Sequence, residues 1–133
     1  MLLVKTYLKP SEGMGIGLFA AELIKQGTIW WTRNITFDKL VTKEEFDNYP
    51  EQSQKFIEEY GFLEKTGNWH LCIDNARFTN HSRNSNSQNT WNVNGELLSC
   101  YAIRDIQKDE EILCNYEETC ITCINGVLFE VKE

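Results

Sequence analysis

Three short segments of this chain place polar and aromatic groups where they could do chemistry. The first is Gly15-Ile16-Gly17, just ahead of an apolar run. Glycines there let the backbone approach a ligand closely and offer its N–H and C=O groups. No third glycine and no helix follow at the required spacing, so it is not a dinucleotide fingerprint. The second is Arg77-Phe78-Thr79-Asn80-His81-Ser82, polar groups set around an aromatic ring. Asn80 and His81 supply donors and acceptors suited to a purine edge or an amino-acid head group. The third, Asp109-Glu-Glu-Ile-Leu-Cys-Asn-Tyr116, puts a tyrosine at the end of an apolar strand, where its hydroxyl needs a partner and can orient a reacting group. Taken singly, each has an ordinary reading as well: a turn, a capped polar loop, a core tyrosine.

Composition narrows the classes of function. At 133 residues, 41% hydrophobic and 25% charged, the chain fits one globular domain spanning residues 1–133. No apolar run approaches the ~20 residues of a membrane span, and Lys5 interrupts the apolar start, so no signal peptide is expected. These features point to a cytoplasmic protein with no membrane partner. A formal net charge of -7 argues against direct nucleic-acid binding and is compatible with a basic protein partner. Five cysteines at irregular spacing do not make a disulfide framework. Cys120 and Cys123 lie three apart in an apparent strand and so face opposite sides, and His70 is the one histidine besides His81. No metal site is expected.

The elements that must hold the three segments read as short strands with one helical interlude. Residues 2–7 suggest an opening strand, 10–17 a glycine-rich loop, and 18–21 and 28–35 strands flanking a turn at Gln26-Gly27. Thr42-Lys-Glu-Glu45 is a capping box that starts a helix with Phe46 and Tyr49 inward, ending before Pro50. A second helix from Glu51 places Phe56, Ile57 and Tyr60 on one face and stops at Gly61. Residues 69–73 read as a strand and 74–89 as a polar loop. Two Asn-Gly dipeptides then join apolar runs into hairpins: Asn94-Gly95 joins 90–93 to 97–103, and Asn125-Gly126 joins 120–124 to 127–131. A short echo links residues 20–29 with 102–111, Asp109 standing where Gly27 stands in the first copy; both residue types tolerate turn geometry. The class is β-rich, α+β.

The order and spacing of the three segments resemble the SET-domain lysine methyltransferases. The family's first motif is similar to Gly15-Ile-Gly-Leu-Phe-Ala20, its central motif to Arg77-Phe-Thr-Asn-His-Ser82, and its closing motif to Ala102-Ile-Arg-Asp-Ile through Tyr116. The resemblance covers about residues 1–117 and implies small curled β-sheets, a C-terminal segment threaded through a loop as a pseudoknot, and a short helical insert at about 38–68. It also implies the cofactor, S-adenosylmethionine, and the substrate class, a lysine-containing protein such as a histone or another basic protein.

Carried over by residue, Met14, Gly15, Ile16 and Gly17 would hold the methionine end of the cofactor through their backbone. Asn80 and His81 would bind its amino group and adenine, and Tyr116 would be the catalytic tyrosine. Tyr60, Phe78 and Cys114 would line the lysine channel. Cys114 is small where a bulky tyrosine would restrict the product to monomethyl-lysine, so addition of two or three methyl groups is expected.

Departures are visible as well. Where the family often continues with Cys-x-Pro-Asn, this chain has Arg83-Asn84-Ser85-Asn86, and a hairpin at about 119–132 replaces the zinc-binding cysteine module. No structural zinc follows. Phe129 on that hairpin and a second subunit, in a homodimer, are the candidates for closing the site. Asn115 stands where Asp is common. These departures leave a catalytically inactive binding module with the same fold as the alternative.

Overall fold

The local signals in the middle of the chain form as their chemistry requires. The Thr42 hydroxyl accepts from the Glu45 backbone N–H at 3.1 Å, and the Glu45 carboxylate accepts from the Thr42 N–H at 3.2 Å. This capping box starts α1 (Lys43–Asn48), which ends ahead of Pro50; α2 (Glu51–Tyr60) follows. Gly61 closes α2 for a steric reason rather than a left-handed turn. Its backbone is extended, but a Cβ there would lie 2.7 Å from the Ile57 carbonyl oxygen.

The computed structural model describes residues 1–115. Around the two helices it sets four small sheets. β1 (Thr6–Ser11) pairs antiparallel with β2 (Gly15–Ala20). β3 (Ile29–Thr32) lies beside β9 (Leu97–Ala102), which in turn pairs with β8 (Ser87–Trp91). β4 (Lys39–Val41) and β5 (Gly61–Leu63) flank β6 (Trp69–Leu71). β7 (Asn80–His81) and β10 (Leu113–Cys114) form a two-residue parallel pair. Among the described residues no helix is long and apolar enough to cross a membrane.

Three strand boundaries differ from the sequence reading. The opening strand runs over Thr6–Ser11, not 2–7; Leu2 makes only an isolated bridge to Trp31. Pro10 sits inside β1 because that strand is an edge of its sheet, where the missing N–H is not needed. The strand expected over 28–35 stops at Thr32, because the Asn34 side chain accepts from the N–H groups of Thr36 and Phe37 and turns the chain. The polar stretch 74–89 is not a plain loop. It contains a 3-10 helix (Asn75–Phe78), capped by the Asp74 carboxylate on the Ala76 N–H, then β7 and the start of β8.

The hairpin at Asn94-Gly95 forms, though its turn spans Asn92 to Gly95, with only Gly95 of that turn at positive φ (83°). The hairpin expected at Asn125-Gly126, the Cys120 and Cys123 thiols, Phe129 and the threaded C-terminal segment lie outside the described residues.

Two apolar cores result. The larger gathers Leu18, Ala20, Ile24, Trp30, Trp31, Leu97, Ala102, Ile106 and Ile112 with the thiols of Cys72, Cys100 and Cys114. The insert has its own core of Val41, Ile57 and Trp69, on which Phe46 and Tyr49 pack as expected; the Phe46 and Trp69 rings stack at 5.2 Å. The middle strand of the insert's sheet is β6, so the unit reaches a few residues beyond 68.

A buried ionic seam joins the two cores. Arg33, just after β3, holds Glu64 at 2.7 Å and Glu96 at 2.8 Å, and Glu64 also accepts from the Leu97 N–H at 2.7 Å. On the insert side, His70 Nε2 meets Asp38 at 2.8 Å while Nδ1 faces Glu64 at 3.6 Å. Asp38, His70 and Cys72 carry ligand-type atoms within 4.8 Å of one another. The His70–Asp38 ion pair already occupies two of these groups, and burial pushes the Cys72 thiol far up, keeping it protonated.

Candidate functional site

The three segments singled out from the sequence meet at one place. β7 carries Asn80 and His81, and β10 lies alongside it with Leu113 opposite Asn80 and Cys114 opposite His81. The Ser82 N–H donates to the Cys114 carbonyl at 3.0 Å and continues the pairing. From the other side the Asn80 carboxamide donates to the Ile16 carbonyl at 3.2 Å. Residues 16, 80 and 113 are far apart in sequence and adjacent here.

The Gly15-Ile16-Gly17 segment is not a loop, as expected, but the first half of β2; only residues 12–14 turn the chain, closed by the Met14 N–H on the Ser11 carbonyl. Gly15 is exposed at φ 77°, and a Cβ there would meet nothing within 4 Å, so its backbone faces open space. Gly17 is buried for the opposite reason. A Cβ on it would lie 2.8 Å from Glu111 Oε1 and 3.0 Å from the Ser11 Cβ. Glycine at position 17 therefore makes room for the Glu111 side chain, whose other oxygen lies 3.4 Å from Asn80 Nδ2. Sequence reasoning quoted Glu111 inside the closing motif and gave it no role.

Asn86 was missed in the same way. It is fully buried, and its carboxamide bridges the closing strand, donating to the Glu111 carbonyl at 2.7 Å and accepting from the Leu113 N–H at 2.9 Å. The signal was available, since Asn86 is the last position of the Cys-x-Pro-Asn pattern that the chain otherwise abandons.

An aromatic wall stands beside these strands. Tyr60, at the end of α2, meets Phe78 edge-on at 5.8 Å, and Phe56 packs on Tyr60 at 5.0 Å. The Arg77 guanidinium lies 5.0 Å from the Phe78 ring and 5.5 Å from Tyr60, within reach of both π faces. Tyr60 and Phe78, expected to share a channel, are thus in contact. Cys114 is buried in the larger core, hydrogen-bonded to the Cys100 thiol, which that bond and burial push well up. Tyr116 lies outside the described residues.

A family profile described as SET domain matches residues 15–117. None of the curated proteins matches the chain at a significant level. Among solved structures, an active polycomb repressive complex 2 in the basal state is similar over 88% of this chain and 16% of its own, with 27% identity and a TM-score of 0.65. The Chaetomium thermophilum polycomb repressive complex 2, in an autoinhibited conformation bound to S-adenosylmethionine, matches 86% of this chain at 24% identity and TM-score 0.64. This chain spans only 15% of the length of that one. A Plasmodium falciparum protein provisionally assigned as a histone methyltransferase shares the fold over 84% of this chain and 96% of its own, at 24% identity and TM-score 0.59. With the profile covering most of its length, and with the described parts of all three motifs meeting at one place, this chain belongs to the SET domain family.

Proposed function

We propose that this chain is a methyltransferase that moves a methyl group from S-adenosylmethionine to the side-chain amine of a lysine in a basic protein such as a histone. One observation carries the reading: Asn80 joins the Ile16 backbone and the Glu111 carboxylate through its carboxamide and the closing strand through its own backbone, at a single point. The groups present suit a donor that carries positive charge. Glu111 offers a carboxylate, Ile16 a carbonyl and Asn80 a carboxamide, and the open backbone at Gly15 admits a close approach.

Bound S-adenosylmethionine would supply an activated methyl group on a sulfonium. The chain's own contribution is to bind, orient and dehydrate. The backbone of residues 14–17 with Asn80 and His81 would hold the donor. The substrate lysine must arrive neutral, although only about one in two thousand is neutral in water at pH 7. The apolar faces of Tyr60 and Phe78 would strip water from the amine and lower its pKa. Tyr116 would orient the amine, and alignment of the reacting atoms is the largest remaining contribution. The net charge of -7 supports a basic partner through electrostatic steering.

Methyl transfer with radiolabelled S-adenosylmethionine to a mixture of core histones, followed by mapping of the labelled residue, tests this. Label on lysine is the expected result. Cofactor binding without transfer to any protein would favour the binding-module alternative, and no binding at all would end the reading.

A further inference from the structure

The structure uses the side-chain amide of Asn86 as a piece of β-strand. Asn86 has no exposed surface, and it lies where the polar stretch after His81 enters β8. Its Nδ2 donates to the carbonyl of Glu111 and its Oδ1 accepts from the N–H of Leu113. These two backbone groups are two residues apart on one edge of the closing strand, the pair that a neighbouring strand would normally satisfy with its own peptide groups. A carboxamide carries a donor and an acceptor in one plane and so can stand in for that peptide.

The anchorage behind it is equally specific. The Asn86 backbone carbonyl accepts from the Ile103 N–H at 3.0 Å, at the end of β9. Its Oδ1 also accepts from the Ser87 hydroxyl at 3.3 Å, and that hydroxyl accepts from the buried Trp30 indole at 2.9 Å. Asn86 thereby ties the closing strand to the central sheet through the core. The closing strand needs the tie because β10 is two residues long and, among the described residues, pairs along its length with Asn80 and His81 and takes one further bond from Ser82. A slip of one residue in such a strand turns every side chain to the other face. Here that slip would put Leu113 in place of Cys114 beside His81.

We propose that Asn86 is a positioning residue for methyl transfer, fixing the register of the closing strand so that Cys114 meets the amine correctly. This rests on the methyltransferase reading above. The donor-side groups, residues 14–17 and the Asn80 side chain, make no hydrogen bond to the Asn86 carboxamide among the contacts described, and Asn86 holds Glu111 by its backbone carbonyl rather than by the carboxylate that faces Asn80, so donor affinity should survive its loss.

The experiment uses the full chain and its Asn86→Asp, Asn86→Ala and Ser87→Ala variants, with S-adenosylmethionine and core histones as probes. Asn86→Asp keeps the acceptor for Leu113 and puts an oxygen against the Glu111 carbonyl. In it, kcat should fall about tenfold or more while the S-adenosylmethionine Kd stays within about threefold of wild type. Amide hydrogen exchange should quicken at Leu113 and Cys114 and stay unchanged at Leu18 and Ala102. Ser87→Ala, which removes one hydrogen bond to the carboxamide oxygen and leaves the carboxamide itself in place, should show a smaller loss in kcat of the same kind and keeps the test open if Asn86→Ala does not fold. Wild-type kcat in folded Asn86→Asp, or kcat and donor affinity falling in proportion, would overturn the positioning role and leave the methyltransferase reading standing. A wild-type chain that neither binds S-adenosylmethionine nor transfers label would end both.

Discussion

Ile24 and Ile106 exchange both of their backbone hydrogen bonds, Ile24 N–H to the Ile106 carbonyl at 2.9 Å and the reverse at 2.8 Å. The exchange is the centre of a local two-fold relation that uses the sequence echo. Gly27 N–H donates to the Ala102 carbonyl, and its counterpart Asp109 N–H donates to the Ala20 carbonyl. The Ala102 N–H in turn meets the Thr28 carbonyl as the Ala20 N–H meets that of Glu110. Gly27 and Asp109 also share a left-handed backbone, at φ 85° and 70°. The relation brings the end of β2 against the segment that feeds β10, and so helps set the first and closing motifs side by side.

The two turns should respond to substitution through backbone conformation alone. A Cβ on Gly27 would meet nothing within 4 Å, so Gly27→Ala costs only the left-handed strain, about 1–2 kcal/mol. Gly27→Asn should cost less, because Asn tolerates that region. Urea unfolding of the two variants checks this, with equal losses in both counting against it.

Loss of the Asn80 or His81 side chain should weaken S-adenosylmethionine binding. A hydrogen bond to a charged group contributes about 1.5–3 kcal/mol, which is roughly tenfold or more in Kd for Asn80→Ala and for His81→Ala. Calorimetry reads it directly, and unchanged Kd in both variants would remove them from the donor site.

Tyr116→Phe removes one hydroxyl and should lower kcat far more than donor affinity, because its proposed role is confined to alignment of the amine. Single-turnover transfer at saturating donor measures the step. Full turnover in this variant would transfer the role to another group.

The ionic seam should make stability depend on pH. Burial opposes a charge on His70, but hydrogen bonds to Asp38 and Glu64 outweigh it and hold the pKa above the ordinary value. That contribution is complete below the unfolded pKa of about 6.5 and is lost as pH rises through the folded value. Burial likewise opposes a charge on Glu64, but bonds from His70, Arg33 and the Leu97 N–H lower its pKa, so its share is present above about 4.5 and lost as pH falls through the folded value. The seam is therefore strongest between about pH 4.5 and 6.5. His70→Gln should cost about 3 kcal/mol near pH 6 and less near pH 9. Denaturant titrations at both values decide it; a constant gap would mean that His70 is not charged in the fold.

Product multiplicity tests the channel role of Cys114. The wild type should add a second methyl group to the same lysine under excess donor, and Cys114→Tyr should stop at the first. Because Cys114 is buried against Cys100, the larger ring should also cost about 1–3 kcal/mol of stability. Mass spectrometry of the product reads the first effect and thermal unfolding the second. A stability loss with an unchanged product pattern would assign Cys114 to the core alone.

Much of the fold was legible because its signals are local. The capping box at Thr42, the end of α2 at Gly61 and the left-handed turns at Gly27 and Asp109 depend on residues within a few positions of each other, and all formed. The order of the Gly-Ile-Gly, Asn-His-Ser and Glu-Glu-Ile segments was enough to identify the family and the β-rich class. Tyr60 and Phe78, which the resemblance assigned to one channel, are in ring contact.

What the sequence by itself determined, then, was which residues carry the motifs and which local elements begin and end around them. The tertiary structure decided what depends on distant partners. Pro10 lies in a strand because β1 is an edge, and Gly17 is glycine because Glu111, remote in sequence, packs over it. His70 is held between Asp38 and Glu64 from separate elements, and Asn86 spans the backbone of the closing strand. A two-residue parallel strand has no periodicity to read, and a carboxamide that replaces a peptide group looks in sequence like any polar loop residue. Such features exist only once the chain has closed, because their hydrogen bonds join groups that nothing local holds together.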